Sequence, residues 1–230
     1  MANPEPIASP TVGRVRENLA HIRTEIATAA ARASRSPRAG GDEAVRLLAA
    51  VKYLAPAALP ALAEAGVRLV GENRAQDLQT KVAAHDALFE WHFIGQLQSR
   101  RVPLVVPHVR LIHSVASDSA LRALERHRAL ARPGLEVLIQ VNIAREPGKA
   151  GVLPEELPAY LEHSPFPVVG LMTMPPLAVD PEASRRWFAA LRELAAAHGL
   201  RELSMGTSQD YVVAVEEGAT IVRLGAALYR

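Results

Sequence analysis

Lys52 closes the apolar run Leu48-Ala49-Ala50-Val51, and a lysine in that setting is a candidate for chemistry. Burial penalises an unpartnered ammonium and favours the neutral amine, the form that attacks a carbonyl to give a Schiff base. Position alone supports a second reading equally, in which Lys52 is the first residue of a loop and its ammonium snorkels to water. Two other segments are suited to holding an anion. Leu203-Ser204-Met205-Gly206-Thr207-Ser208 and Val222-Arg223-Leu224-Gly225-Ala226 each end in glycine and small residues ahead of a predicted helix, so bare N–H groups can converge at its N-terminus. The hydroxyls of Thr207 and Ser208 would add donors, although either loop taken singly also reads as an ordinary capped turn. Arg223 alternates with Val222 and Leu224, so if those two face helices its guanidinium points the other way. An always-charged group there needs an acceptor. Two are available on sequence grounds: a carboxylate such as Glu72, or a pyridine nitrogen, which the cation would keep unprotonated and a weaker electron sink.

These residues need a scaffold, and the sequence alternates short apolar runs with alanine- and leucine-rich stretches, the pattern of repeated strand–helix units. Eight strands are predicted, at Val45 to Lys52, Leu69 to Asn73, Glu90 to Gly95, Leu111 to Val115, Leu135 to Ile143, Val168 to Pro175, Glu202 to Gly206 and Ile221 to Gly225. Helices are predicted between them at Pro56 to Ala65, Ser117 to Leu130, Pro154 to His163 and Pro181 to His198. Ahead of all these, Val12, Val15, Leu19, Ile22 and Ile26 mark one long amphipathic helix over Thr11 to Ala33. Pro37, Gly40 and Gly41 break the pattern after it, and Met1 to Pro10 reads as a disordered start. Eight strands in one alternating series favour an α/β fold of one domain, residues 11–230, closed as a (β/α)8 TIM barrel with an extra N-terminal helix. Strand parity then sends Leu47, Ala49 and Val51 outward and Leu48, Ala50 and Lys52 inward, and likewise Val137, Ile139, Val141 and Ile143 outward and Gln140 and Asn142 inward. Lys52 would thus sit at the C-terminal mouth, facing the loops after strands seven and eight, where phosphate sites of this fold form.

Bulk composition removes other classes. The 230 residues carry 26 Lys plus Arg against 24 Asp plus Glu, a net charge of +2 too thin for a nucleic-acid footprint. The apolar runs are far shorter than the roughly 20 residues of a membrane span, and the first residues show no secretory pattern. Zero cysteines exclude disulfides and thiolate chemistry and suit a cytoplasmic protein. No metal site is expected.

The same residues carry a resemblance. Leu48-Ala49-Ala50-Val51-Lys52, Gly71-Glu72-Asn73, Trp91-His92-Phe93-Ile94-Gly95-Gln96-Leu97-Gln98-Ser99, Gly170-Leu171-Met172-Thr173-Met174, Leu203-Ser204-Met205-Gly206 and Val222-Arg223-Leu224-Gly225 together resemble the pyridoxal phosphate homeostasis proteins, over Val12 to Tyr229. The long Trp91 to Ser99 block is the most specific of these. The resemblance implies a barrel similar to the N-terminal domain of alanine racemase, with pyridoxal 5'-phosphate as a Schiff base on Lys52. It also implies that Asn73 and Met172 flank the cofactor, that Ser204, Gly206, Thr207, Ser208, Gly225 and Ala226 lie near its phosphate, and that Arg223 faces the ring nitrogen. The sequence departs from the family at Thr207, often Met, at Ala226, commonly Thr or Ser, and after the last strand, where the family tail is longer. That last departure implies a looser final helix. His92 reads first as a packed, hydrogen-bonded core residue and second as a catalyst.

Three functions compete. The leading one is a monomeric carrier or buffer of pyridoxal phosphate that meets cofactor-dependent apoenzymes transiently and has no catalytic residue. A racemase would need acid–base groups on both faces of the substrate Cα, and relatives take the second-face tyrosine from a further domain. Here the tyrosines are Tyr53, Tyr160, Tyr211 and Tyr229, and parity turns Tyr53 away from Lys52. A Schiff-base aldolase on the same fold is the third.

Overall fold

Thr11 approaches the first helix in an extended conformation (φ −85°, ψ 148°), and its hydroxyl accepts the Arg14 amide at 3.4 Å. From there α1 runs Val12–Arg32, and in the computed structural model, which describes residues 10–33 and 45–229, it buries Val15, Leu19, Ile22, Ile26 and Ala29. Each large aliphatic taken from water contributes about 1.5–3 kcal/mol, so this one stripe fixes the helix to the domain. Tyr211 donates its hydroxyl to Glu25, tying α1 to a helix near the other end of the chain. The predicted break at Pro37, Gly40 and Gly41 lies outside the described residues, as does the predicted disordered start except for Pro10, which is buried.

The eight strands form where β-branched and leucine-rich runs permit burial on both faces. They are β1 Arg46–Ala50, β2 Leu69–Glu72, β3 Glu90–Phe93, β4 Leu111–Val115, β5 Glu136–Gln140, β6 Val168–Met172, β7 Glu202–Thr207 and β8 Ile221–Leu224. All pair in parallel, each with its successor, and β8 returns to β1, closing the barrel. Several strands stop short of their apolar runs, the last interstrand bonds coming from the amides of Val51, Val141 and Thr173: β1 ends at Ala50, not Lys52, β5 at Gln140, not Ile143, and β6 at Met172, not Pro175. The helices between them are α2 Leu59–Glu64, α3 Ala75–His85, α4 Val102–Val105, α5 Asp118–Arg126, α6 Leu157–His163, α7 Arg185–Ala197, α8 Tyr211–Glu217 and α9 Ala226–Tyr229. Three predicted helices open with a 3₁₀ turn begun by a proline, at Pro56, Pro154 and Pro181. A residue with fixed φ and no N–H is suited to a first turn. Ser117 caps α5 through the Ala120 amide (3.2 Å), but that helix stops at Arg126, short of Leu130.

Side-chain parity follows the prediction within the strands. Ala49, Val51, Val137, Ile139, Val141, Val222 and Leu224 join the apolar layer between sheet and helices, while Leu48, Leu69, Leu111, Leu138, Met172 and Ile221 form a separate cluster inside the barrel. The interior is not uniformly apolar. His92, His113, Ser204 and Arg223 are buried there as well.

Candidate cofactor site at the barrel mouth

Lys52 lies two residues beyond β1, in the turn at the C-terminal end of the barrel. Its Nζ rests 4.9 Å from the centre of the Tyr53 ring, so the two side chains meet where parity would have parted them. Parity holds only in a pleated strand, and the chain leaves the sheet after Val51, whose amide still donates to the Gly71 carbonyl at 3.0 Å. The turn is held from behind by a second lysine: Lys81 of α3, buried, donates to the Val51 carbonyl at 2.8 Å and to the carboxylate of Glu72. The other Glu72 oxygen accepts the amides of Asn73 (2.6 Å) and Arg74 (3.1 Å). Glu72 therefore serves Lys81 and not Arg223, which removes one of the two acceptors predicted for that arginine. Asn73 directly follows β2, with its Oδ1 buried and without a hydrogen-bond partner. Gly95 lets the Asn73 backbone approach closely, since a Cβ there would fall 2.0 Å from the Asn73 carbonyl oxygen.

Across the mouth, Arg223 is 6% exposed and enters the barrel as its parity requires. It donates to Ser204 Oγ (2.6 Å), the Thr173 carbonyl (3.0 Å) and Met174 Sδ (2.8 Å), and burial draws its pKa down to about 10 against a partial counter-effect from Asp210. Met172 lies in the interior apolar cluster beside Ile221 and Leu138. The β7–β8 register slips between Ser204 and Thr207, and Gly206 in the slip has φ +89°. A Cβ there would sit 2.6 Å from that of Ala214, so glycine is needed for both conformation and space. Thr207 gives its amide (2.8 Å) and hydroxyl (3.0 Å) to Asp210, so that hydroxyl is committed to its own loop and is not a free donor. Ser208 Oγ accepts the amides of Gly225 and Ala227, each at 3.3 Å, joining the two loops predicted to hold an anion. Gly225 also brings that loop beside β1, a Cβ there being 3.6 Å from the Ala50 carbonyl. Ala226 opens α9, and this last turn is packed, not loose: Leu228 and Tyr229 are buried and Asn18 donates to the Leu228 carbonyl at 3.2 Å.

Beneath Arg223 the polar groups continue. Ser204 Oγ meets His113 Nδ1 at 2.8 Å, His113 Nε2 meets His92 Nδ1 at 2.9 Å, and His92 Nε2 meets Glu90 Oε1 at 2.8 Å. Burial pushes both imidazoles below their usual pKa, His113 the further, while the His92 contact holds Glu90 below the usual carboxylate range. His92 is thus a hydrogen-bonded core residue, as its sequence context suggested.

Gln140 and Asn142, read as mouth residues, are spent on the loop after β5. Gln140 donates to the Ala150 carbonyl (3.0 Å), and Asn142 exchanges bonds with the Glu146 backbone (2.9 and 3.0 Å). Tyr211 is bound to Glu25 and Tyr160 to Asp118 (2.8 Å), and Tyr229 is buried. Among the described residues, no three His, Asp or Glu side chains gather as metal ligands would. Sequence reasoning missed Lys81 and His113. The first had a signal, since Lys81 falls on the α3 stripe of Ala75, Leu78 and Val82, where a lysine must find a buried partner.

These residues fit pyridoxal phosphate. Asn73 has an unused buried acceptor, and Arg223 is a buried cation whose partners leave part of its five-donor fork open. The 3.3 Å bonds from Gly225 and Ala227 are long for N–H···O, and a phosphate oxygen is a stronger acceptor for the same donors.

Comparison with known proteins agrees. The alanine racemase N-terminal domain family matches residues 15–230. The pyridoxal phosphate homeostasis protein of Aquifex aeolicus is 37% identical over 93% of this chain and 96% of its own, and that of Pseudomonas aeruginosa is 38% identical over 94% of each. The solved structure of PipY from Synechococcus elongatus, with PLP bound, superposes with a TM-score of 0.76 at 32% identity, covering 94% of this chain and all of that chain. The chain belongs to the alanine racemase N-terminal domain family and, within it, to the pyridoxal phosphate homeostasis proteins.

Proposed function

We propose that this protein holds pyridoxal 5'-phosphate as a Schiff base on Lys52 and serves vitamin B6 balance in the cytoplasm as a monomeric, non-catalytic carrier that meets apoenzymes transiently. The observation that carries this reading is Arg223, a guanidinium buried without a bonded carboxylate at the mouth of a barrel whose relatives include a PLP-bound structure. When bound, the cofactor supplies an amine-reactive aldehyde and an electron-withdrawing ring. Arg223 would face the ring nitrogen and keep it unprotonated, which weakens that electron sink. Asn73 would meet a polar ring substituent, and Met172 would pack against the ring. The loops of Gly206 to Ser208 and Gly225 to Ala226 would supply the phosphate end, chiefly through backbone N–H groups, with Ser204 nearby but its hydroxyl committed to Arg223 and His113. The hydroxyls of Tyr211 and Tyr160 are engaged elsewhere and Tyr229 is buried, so Tyr53 is the one tyrosine at the mouth; it stands on the Lys52 side and leaves the opposite substrate face without a tyrosine, which favours holding over racemization.

The test is a visible spectrum of the purified, cofactor-loaded protein before and after borohydride, with Lys52→Ala alongside and the adduct mapped by mass spectrometry. Covalent label on Lys52, absent from the variant, is expected. Label on Lys81 or Lys149, or inversion of alanine or serine at enzyme-like rates, would overturn the reading.

A further inference from the structure

Arg223 is the upper end of a hydrogen-bonded row that crosses the barrel from β8 through Ser204 of β7, His113 of β4 and His92 of β3 to Glu90. Glu90 opens β3 at the opposite face of the barrel, and its side chain is 48% exposed, whereas the middle of the row is closed to water. The two ends dictate every proton between them. An ionised Glu90 only accepts, so His92 must carry its proton on Nε2. A neutral His92 then accepts at Nδ1, so His113 must donate from Nε2 and accept at Nδ1. Ser204, already accepting from Arg223, must give its own hydroxyl proton to His113. Burial keeps both imidazoles neutral, which leaves a single consistent arrangement with all dipoles aligned from Arg223 toward Glu90. Aligned bonds in a dry interior polarise one another.

We propose that Glu90, His92 and His113 are positioning residues that make Glu90 the remote counterion of Arg223, so that the far face of the barrel sets the charge and aim that Arg223 presents to the cofactor. No carboxylate is hydrogen-bonded to Arg223: the charge of Asp210 reaches it only through space, Asp210 being bonded to Thr207, and the bonded path to a carboxylate is the row to Glu90. Glu90 in turn is set by what surrounds it: His92 on its own strand, Arg46 of β1 at 4.0 Å, the charge of Arg110, and Glu202 of β7, which holds Arg46 at 2.9 Å. The functional half of this inference rests on the cofactor reading above, and the structural half does not.

Imidazole ¹⁵N spectra of the cofactor-free protein decide the structural half. Both His92 and His113 are expected as neutral Nε2–H tautomers near neutral pH. In Glu90→Gln, a shape-conserving change at a half-exposed position, the His113 resonances are expected to move or to show mixed tautomers although Glu90 does not touch that ring. A cationic or Nδ1–H His113 in the parent, or unchanged His113 signals in Glu90→Gln, would overturn the row. The functional half is read from pyridoxal phosphate bound to the same variant: a displaced absorption band and a several-fold faster release are expected, and an identical band and rate would overturn it. A parent protein that takes up no cofactor would sink the cofactor reading and the functional half together, and the ¹⁵N spectra would still decide the row. His92→Gln, which keeps a donor and an acceptor in neutral form, is expected to shift the band less than His92→Leu, a ranking that a merely space-filling histidine would not give.

Discussion

The β1–β2 side of the barrel mouth and the β6–β8 side each bury a cation, and they treat it oppositely. Lys81 sits against the carboxylate of Glu72 and the Val51 carbonyl, its charge closed within one cluster. Arg223 has a hydroxyl, a carbonyl and a thioether around it, and its nearest carboxylate along a bonded path is Glu90, four hydrogen bonds away. A satisfied buried pair positions backbone and has nothing left to bind with. An unsatisfied one costs stability and keeps donors open, the arrangement expected where a ligand completes the site.

Breaking the closed side should have the largest effect. Lys81→Met leaves Glu72 buried and uncompensated, and a loss of about 3–5 kcal/mol in denaturant unfolding is expected. A loss under 1 kcal/mol would show that the pair is not the clamp of the β1 turn. Breaking the open side should act on binding instead. Arg223→Met is expected to leave the unfolding free energy of the cofactor-free protein nearly unchanged or slightly raised, while pyridoxal phosphate affinity falls by about 1.5–3 kcal/mol, the range for a charge-assisted bond. If the apo-protein collapses as Lys81→Met should, the contrast between the two cations fails. Gly206→Ala forces a side chain into φ +89° against Ala214. A destabilisation of roughly 1–3 kcal/mol is expected, with weaker cofactor retention measured by dialysis.

Acidification sharpens the comparison further. His92 and His113 have folded pKa values below the unfolded value of about 6.5, so the unfolded chain takes up protons first as pH falls. Glu90 is also held low, so its contribution is present above the unfolded carboxylate value and lost as pH falls through the folded one. Both signs agree, and stability should decline on acidification from about pH 6.5 downward. Thermal melts of Glu90→Gln against the parent should show a decline at least as steep above about pH 4.5, because Glu90 holds the His92 pKa up against burial, and no further carboxylate contribution below it. The smallest effect is expected for Thr207→Ala, about 1 kcal/mol for loss of the Asp210 contact, with the bonds from the Gly225 and Ala227 amides to Ser208 intact.

Periodicity made the barrel legible. Alternation in Val137 to Val141 and in Ile221 to Leu224 foretold which side chains face the helices, because a strand of fixed pleat leaves a side chain only two directions. The same rule placed Arg223 inside. It failed at Lys52 and Tyr53, where the chain had left the sheet, and it placed Gln140 and Asn142 in the mouth without revealing that the following loop claims them.

The sequence by itself determined the strand–helix order, the inward faces of β1, β5 and β8, the glycines that bring β7 and β8 close, and the family. Tertiary structure alone decided the partners: that Glu72 belongs to Lys81, that Thr207 is spent on Asp210, and that His113 and Ser204, 91 residues apart, are hydrogen-bonded. The physical reason is that secondary structure answers to local spacing, whereas a buried charge or imidazole answers to whichever groups barrel closure brings within about 3 Å, and no local pattern records that distance.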